Sequence, residues 1–198
     1  MKEFLRQIKI SVIATLVFAI VLCGIYPLIV WVFGQVLFPF QANGSLITNH
    51  NGQAIGSTLI GQNFTGSQYF EPRPSYAGNG YDPTTSGGSN LGPTSQKLAT
   101  NIQQAIAAYR TENNLSATAT VPADAVTGSA SGLDPEISLL NAAIQAPRVA
   151  KARKVSLMDV QALIDQNIDG RSLGIFGEPG VNVLMLNIAL DQKYPVQK

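Results

Sequence analysis

The chain carries no charged side chain from residue 10 to residue 70, a run of 61 residues. Its first part, residues 10–33, is a continuous apolar segment of 24 residues. As a helix rising about 1.5 Å per residue, this segment reaches about 36 Å, which exceeds the hydrocarbon core of a bilayer at about 30 Å. We therefore predict a single N-terminal transmembrane helix over residues 10–33.

The flank of this segment predicts its orientation. Three basic residues outnumber the acidic Glu3 within residues 1–9, and by the positive-inside rule such a terminus stays in the cytoplasm. Residues 34–198 would then form an extracytoplasmic, periplasmic domain. The apolar run is longer than that of a cleaved signal peptide, so we expect an uncleaved, single-pass anchor.

Composition excludes several function classes. A single Cys and a single His exclude a disulfide framework, CxxC sites and multi-histidine metal sites. The 13 basic and 12 acidic residues form no strong charge block, so nucleic-acid binding is not expected. The chain has neither the Gly-Lys pair of a Walker loop nor the DKTGT phosphorylation motif of P-type pumps. We therefore predict no catalytic and no metal-ligating residues.

The soluble part is predicted to be one α+β (α/β) domain. Short apolar pieces around the turn Asn51-Gly52 predict two or three short strands within residues 41–66. Residues 67–95 are rich in Gly, Pro, Ser and Asn, and their four aromatic residues favour an ordered loop over disorder. A loop of this length within a domain is usually functional or a linker.

Four helices are predicted beyond this loop. Asp134-Pro135-Glu136 should open the second, because Asp is a good cap and Pro suits the first helical position, and Pro147 should interrupt it. Its apolar face would contain Ile137, Leu140 and Ile144. The other predicted signals are Thr94 as a cap with Asn113-Asn114 as a stop, the capping box of Ser156 and Asp159, and a segment at 181–190 in which helix is favoured over strand.

The loop 67–95 contains the stretch most like a phosphate-binding loop. Consecutive Gly and Ser residues can present backbone N–H groups to an anion, which makes a nucleotide site conceivable, although a structural turn is the favoured interpretation. The candidate residues are Ser86, Gly87, Gly88, Ser89 and Asn90.

Two hydrolase alternatives stay open. His50 is the only imidazole that could serve as a base, but no GxSxG elbow accompanies it. Ser156 near Lys154 would allow a membrane-anchored periplasmic Ser/Lys hydrolase. Helix capping by Ser156 is the favoured interpretation.

Two features suggest partner contacts. Arg73 lies among Tyr and Pro residues and suits a protein–protein hot spot with Tyr69 and Phe70, or else a salt bridge and stacking that fold the loop on itself. The basic run of Arg148, Lys151, Arg153 and Lys154 is typical of a solvated helix face, with lipid headgroups or an acidic partner as the alternative.

Four stretches together resemble one known family. They are YFEPRPSYAGNGYDPTTSGGSNLGPTS (69–95), DAVTGSASGLDPEIS (124–138), RVAKAR (148–153) and GEPGVNVLMLNIALD (177–191). In order and spacing, and with the N-terminal anchor, they resemble the C subunit of the Kdp-type high-affinity potassium-transporting ATPase. The chain departs from the family's common residues at Glu136, near Leu139 and at Gly180, where the family has His, Pro and Arg.

The resemblance implies an accessory subunit, without activity of its own, in a bacterial inner-membrane complex that uses ATP, magnesium and potassium. It implies two partners: a channel-like subunit that binds potassium and a P-type pump subunit that hydrolyses ATP. The C subunit would stabilise the assembly and act as a catalytic chaperone that raises the ATP affinity of the pump. Because an outside domain cannot reach cytoplasmic ATP, we expect an indirect effect, in which the anchor, with Pro27 and Trp31, packs on the partners and the domain caps the potassium entrance.

Overall fold

The computed structural model describes residues 1–49 and 51–196, so the candidate base His50 lies outside the described residues. The chain divides into two compact units, Met1–Ile55 and Gly56–Lys198. In the first, residues Lys2–Leu37 form the one helix of the described chain that is long and apolar enough to cross a membrane. It consists of α1 (Lys2–Ile20), a π-helical turn (Val21–Ile25) and α2 (Tyr26–Leu37).

The π-helical turn has a local cause in the sequence. Pro27 lacks a backbone N–H, and its ring would collide with the carbonyl one turn earlier in a regular helix. Just before it, the N–H of Tyr26 bonds the carbonyl of Val21, five residues back, which widens the turn. The helix therefore continues through Pro27, with the π-helical turn just before it.

After this helix come α3 (Pro39–Ala42) and two short strands, β1 (Leu46–Thr48) and β2 (Ala54–Ser57), which pair with each other. This pairing confirms the predicted strands around the Asn51-Gly52 turn. No helix or strand occurs between Ser57 and Gln96, which confirms the long ordered loop.

The second unit packs its later helices against a three-stranded antiparallel sheet in the order β3-β5-β4. Val181 of the central strand pairs with Ile137 on one side and Ile168 on the other. The elements are α4 (Gln96–Glu112), α5 (Ala123–Val126), β3 (Glu136–Ser138), α6 (Leu139–Arg153), α7 (Leu157–Gln166), β4 (Ile168–Asp169), β5 (Gly180–Asn182) and α8 (Val183–Lys193).

The core lies between this sheet and α6, α7 and α8. Its largest fully buried apolar side chains are Phe70, Ile137, Val149, Val160, Val181, Val183, Leu186 and Leu190. Phe70 is the only one of these from the long loop. The Phe70 ring therefore anchors the loop in the core, and the partly buried Phe64 packs against the same core.

The predicted start of the second helix is wrong. Glu136–Ser138 is strand β3, and α6 begins at Leu139 with Ser138 as its cap, whose Oγ accepts the N–H of Asn141 at 3.1 Å. The carboxylate of Asp124 accepts the backbone N–H and the hydroxyl of Ser138, both at 2.8 Å, and thereby fixes this junction. Ile137 thus lies in a strand, and Leu140 is exposed rather than on an apolar face.

Other predicted boundaries hold in part. Pro147 does not interrupt α6, which continues to Arg153. Ser95 rather than Thr94 caps α4, which stops at Asn113 as predicted. The segment at 181–190 begins as strand β5 before it becomes α8. The Ser156–Asp159 capping box is confirmed, with a 3.1 Å bond from the Asp159 N–H to Ser156 Oγ.

Candidate functional site: a loop held by buried arginines and amides

Two arginines of α6 point inward and bind the long loop. Arg148 is 7% exposed and Arg153 is 9% exposed, so the predicted solvated basic face is wrong for both, whereas Lys151 and Lys154 are exposed. Arg148 donates to the carbonyl of Tyr69 at 3.1 Å and to Gln145 Oε1 at 2.8 Å. Buried guanidinium groups need such partners, because an unpaired buried charge is costly.

Arg153 contacts both the same loop and the end of α8. Its guanidinium donates to the carbonyl of Gln68 at 2.7 Å and to Asp191 Oδ1 at 2.8 Å. It also lies 5.0 Å from the ring centroid of Tyr69, whose hydroxyl donates to Asp191 Oδ2 at 3.2 Å. The Tyr69 side chain is therefore half-buried within an Arg–Tyr–Asp cluster.

Two buried amides bind the loop backbone in a paired fashion. Asn187 of α8 accepts the N–H of Phe70 and donates to its carbonyl, both at 2.9 Å. Gln145 of α6 does the same for Glu71, at 2.8 and 3.1 Å. Each side-chain amide satisfies both backbone polar groups of one loop residue, as a neighbouring strand would. We call these residues, Gln145, Arg148, Arg153 and Asn187, the loop clamp.

Beside the loop clamp lies an open groove of about 290 Å³ that contains two glutamates. The Glu71 carboxyl lies beside that of Glu112 on α4. Burial is the main cause that raises the pKa of Glu71 to about 7, and Glu112 raises it further, while Arg148 opposes the shift. Burial, with Glu71 nearby, also raises the pKa of Tyr81 to about 12. The pair can therefore hold a proton near neutral pH.

The neighbouring aromatic residue Tyr109 connects this groove to the helix start of α6. Its hydroxyl donates to Asn141 Oδ1 at 2.7 Å. The same oxygen also accepts a hydrogen bond from Gln145 Nε2 at 2.9 Å. Burial, together with the charge of Asp124, raises the pKa of Tyr109. The phenol therefore stays a neutral donor, as this network requires.

Arg73 does not pair with its sequence neighbour Glu71. Its Nη1 donates to Asp134 Oδ2 at 2.7 Å, and the Tyr81 hydroxyl donates to its backbone carbonyl at 2.6 Å. The salt bridge therefore joins the loop to the segment before β3 instead of closing the loop on itself. The Arg73 side chain is 25% exposed, and its Nε is buried without a hydrogen-bond partner.

The residues predicted to contact partners lie in two different elements and differ in their exposure. Tyr69, Phe70 and Arg73 lie on one loop, but the Phe70 ring is fully buried in the core and offers no surface to another protein. Pro27 and Trp31 belong to α2 of the first unit, where Trp31 is exposed.

The phosphate-loop candidate is engaged with another segment of the chain. The N–H of Gly87 donates to the carbonyl of Ser131 at 2.9 Å, and the Ser86 hydroxyl donates to the same carbonyl at 3.0 Å. Gly88 lies against the Ala130 carbonyl, and Asn90 adopts a left-handed backbone with φ of 52°. The Gly87 N–H is therefore used within the fold, as in a structural turn, rather than presented to an anion.

The geometry at Ser156 fits capping. Its hydroxyl donates to Asp159 Oδ2 at 2.7 Å while accepting the Asp159 N–H. Lys154 ends α6 in a left-handed conformation. Among the described residues there is no group of three or more His, Cys, Asp or Glu that could hold a metal ion.

Sequence reasoning missed the loop clamp, although α6 carries a signal for it. Asn141, Gln145 and Arg148 recur at i, i+4 and i+7, the spacing of one helix face. Small apolar residues, Ala142, Ala146, Val149 and Ala150, accompany them on the buried side. A polar stripe set among small apolar residues is typical of a buried hydrogen-bonding face rather than of solvent exposure.

Comparison with known proteins decides the family. A family model described as "K+-transporting ATPase, c chain" matches residues 8–192. The chain belongs to the KdpC family. A "Potassium-transporting ATPase KdpC subunit" of Mycobacterium tuberculosis strain H37Rv is 54% identical over 187 residues, covering 94% of this chain and 98% of the relative. The KdpC subunit of Nitratidesulfovibrio vulgaris is 50% identical over 188 residues, or 94% of each chain, and that of Caulobacter vibrioides is 49% identical over 191 residues, or 96% and 95%.

Membership of the KdpC family makes the chain a subunit of a potassium-transporting ATPase, and its apolar N-terminal helix fits a membrane-anchored subunit. Glu136 of β3 and Gly180 of β5 lie against each other in the sheet. A Cβ atom at Gly180 would lie 2.6 Å from Glu136 Oε2. The Glu136 side chain thus fills the space that a side chain at 180 would occupy. Burial is the main cause that raises the pKa of its carboxyl, and the neighbouring Asp169 raises it further.

Proposed function

We propose that the chain is an accessory, non-catalytic subunit that stabilises the ATP-driven, high-affinity potassium uptake complex. The observation that carries the proposal is the family match over residues 8–192, which includes both the apolar helix and the second unit. Its partners are a channel-like subunit that binds potassium and a P-type subunit that hydrolyses ATP with magnesium. Residues 1–9 lie in the cytoplasm, residues 10–33 in the bilayer and residues 34–198 outside the inner membrane.

The proposed influence on ATP is indirect. The anchor helix packs on the partner subunits, and the outer domain caps the potassium entrance. Binding of the domain at the outer face of the membrane then changes the ATP affinity of the pump subunit at the cytoplasmic face. Allosteric coupling of this kind amounts to about 1–3 kcal/mol, or about 5- to 150-fold in affinity. The internal bond of the Gly87 N–H supports this route over direct nucleotide binding by Ser86–Asn90.

A pull-down of the full chain through a C-terminal tag, in cells that express the other subunits, tests the assembly. We expect recovery of both partners with potassium-dependent ATPase activity, and a KM for ATP that rises about 5- to 150-fold when this chain is omitted. Recovery of the chain alone would refute the accessory role. ATP binding by the purified chain, lost on mutation of Gly87 and Gly88, would refute the indirect route.

Cysteine labelling tests the orientation, because Cys23 is the only cysteine. In a Cys23→Ser background, Thr84→Cys places a thiol on the second unit and Gln7→Cys places one in the basic terminus. A membrane-impermeant maleimide should label the first in intact spheroplasts and the second only after lysis. The reverse pattern would overturn the proposed topology.

A further inference from the structure

A short hairpin of the second unit exposes an unusual amount of apolar surface. Ser172 and Phe176 exchange two backbone hydrogen bonds, both of 2.9 Å, and enclose the tip of this segment. Leu173 is 88% exposed, Ile175 71% and Phe176 64%. We call residues 172–176 the apolar hairpin. Single exposed apolar residues are common, but three large ones within four residues form a contiguous patch of the kind that marks interaction sites.

The backbone of the apolar hairpin makes leucine an unexpected choice at its tip. Leu173 has a φ of 54°, in the left-handed region that glycine and asparagine adopt readily and leucine rarely. Asparagine there would be better solvated and less strained. Neither the turn nor solubility therefore accounts for the leucine, and strain of this kind is typical of functional positions.

Residues that flank the apolar hairpin fix its conformation. Arg171 Nη2 donates to both carboxylate oxygens of Glu178 at 3.0 Å, and β4 leads into the hairpin from the sheet. A preformed protrusion loses little conformational freedom on binding. An apolar centre with a polar rim is also the usual anatomy of a protein–protein interface.

The surrounding charge favours a protein over a lipid surface. Residues 168–178 contain Arg171 but also Asp169 and Glu178, and the carboxyl of Glu136 is near enough to Asp169 to raise its own pKa. Segments that insert into bacterial membranes usually carry basic residues and interfacial Trp or Tyr. This segment has a net negative charge and neither of those aromatic residues, so anionic headgroups would repel it.

We propose that Leu173, Ile175 and Phe176 insert into an apolar recess on another subunit of the potassium-transporting ATPase. The chain's membership of a multi-subunit ATPase family supplies the partner, and the hairpin supplies the contact. The inference rests on the accessory role proposed above, whose failure is separately detectable.

The test is the pull-down of the full chain with three forms compared side by side. The triple variant Leu173→Asn, Ile175→Thr, Phe176→Thr should lower partner recovery at least tenfold, because it removes all three anchors. Met158→Gln, at an 80% exposed apolar residue of α7, is the matched control and should leave recovery unchanged. Far-UV circular dichroism and thermal melting in detergent verify that both variants keep the fold.

A second measurement identifies what the hairpin touches. A photo-crosslinking amino acid at Ile175 in the assembled complex should form an adduct with another subunit. Adducts only with lipid or with a second copy of this chain would overturn the proposal, as would unchanged recovery of partners by the triple variant. If the wild-type chain recovers no partner, the accessory role itself fails, and this outcome is distinct from a failure of the hairpin alone.

Discussion

Two segments of the second unit use their backbones in opposite ways. The long loop around Phe70 forms no helix or strand, yet buried side chains of α6 and α8 bind its N–H and carbonyl groups. The apolar hairpin satisfies its own backbone and leaves its side chains in solvent. The long loop therefore contributes to the stability of the fold, whereas the side chains of the apolar hairpin are free to contact another molecule.

The largest effect is expected for Arg148→Ala. The substitution leaves Gln145 Oε1, Asn113 Oδ1 and the Tyr69 carbonyl without their buried donor. We expect a loss of about 3–5 kcal/mol in the free energy of unfolding, measured by urea denaturation of the full chain in detergent. Lys151→Ala, at an exposed position of the same helix, should change it by less than about 0.5 kcal/mol. Equal effects for the two would contradict the loop clamp.

Asn187→Leu should follow in size. It removes both hydrogen bonds to the backbone of Phe70 and leaves that N–H and carbonyl buried without partners. The expected loss is about 2–3 kcal/mol in the same measurement. Gln161→Leu, at an exposed residue of α7, is the matched control and should be close to neutral. An unchanged free energy of unfolding in Asn187→Leu would mean that water hydrogen-bonds the N–H and carbonyl of Phe70 in place of Asn187.

The fold could be predicted from the sequence where local chemistry decides it. Ser156 with Asp159, the Asn51-Gly52 turn and the stop at Asn113 depend on neighbouring residues, and each was predicted. Asp134-Pro135-Glu136 also looks like a helix start, but Asp134 pairs with Arg73 and the following residues pair with β5. Arg73 lies 61 residues before Asp134, and Asn182, the partner of Glu136, lies 46 residues after it. No local pattern could therefore identify these partners.

The candidate site could be predicted only in outline for the same reason. The loop was identified by its Gly, Pro and aromatic content, and Tyr69 and Arg73 lie on it as expected. The inward turn of Arg148 and Arg153 depends on carbonyls of residues about 80 positions earlier in the chain. The sequence does not show these distant carbonyls, and a run of basic residues by itself indicates a solvated helix face. That interpretation was wrong for Arg148 and Arg153, two of the four basic residues.

A pH dependence should distinguish the groove from the rest of the loop. The pKa of Glu71 is raised from 4.5 to about 7, so the folded chain holds this proton more tightly than the unfolded chain. The stabilisation is complete below about pH 4.5 and is lost as the pH rises through 7. We expect the free energy of unfolding to fall by about 1–2 kcal/mol between pH 5 and pH 8, after allowance for solvent screening.

Glu71→Gln tests this origin, because an uncharged amide at the same position removes the titration while keeping the shape. The variant should flatten the pH profile and be more stable than the wild-type chain at pH 8. Asp165→Asn, which removes an exposed carboxylate elsewhere, should keep the wild-type slope. A wild-type slope in Glu71→Gln would exclude the Glu71–Glu112 pair as its source.

The smallest effect on stability is expected in the apolar hairpin, and that smallness is the informative result. Leu173→Asn exchanges a strained, exposed leucine for a residue that tolerates the left-handed backbone, so the free energy of unfolding should change by less than about 0.5 kcal/mol. Partner recovery should nevertheless fall, since one of three anchors is lost. A variant that leaves folding intact and weakens assembly would separate the two segments by function, whereas a large loss of stability would show that the hairpin, like the loop, supports the fold.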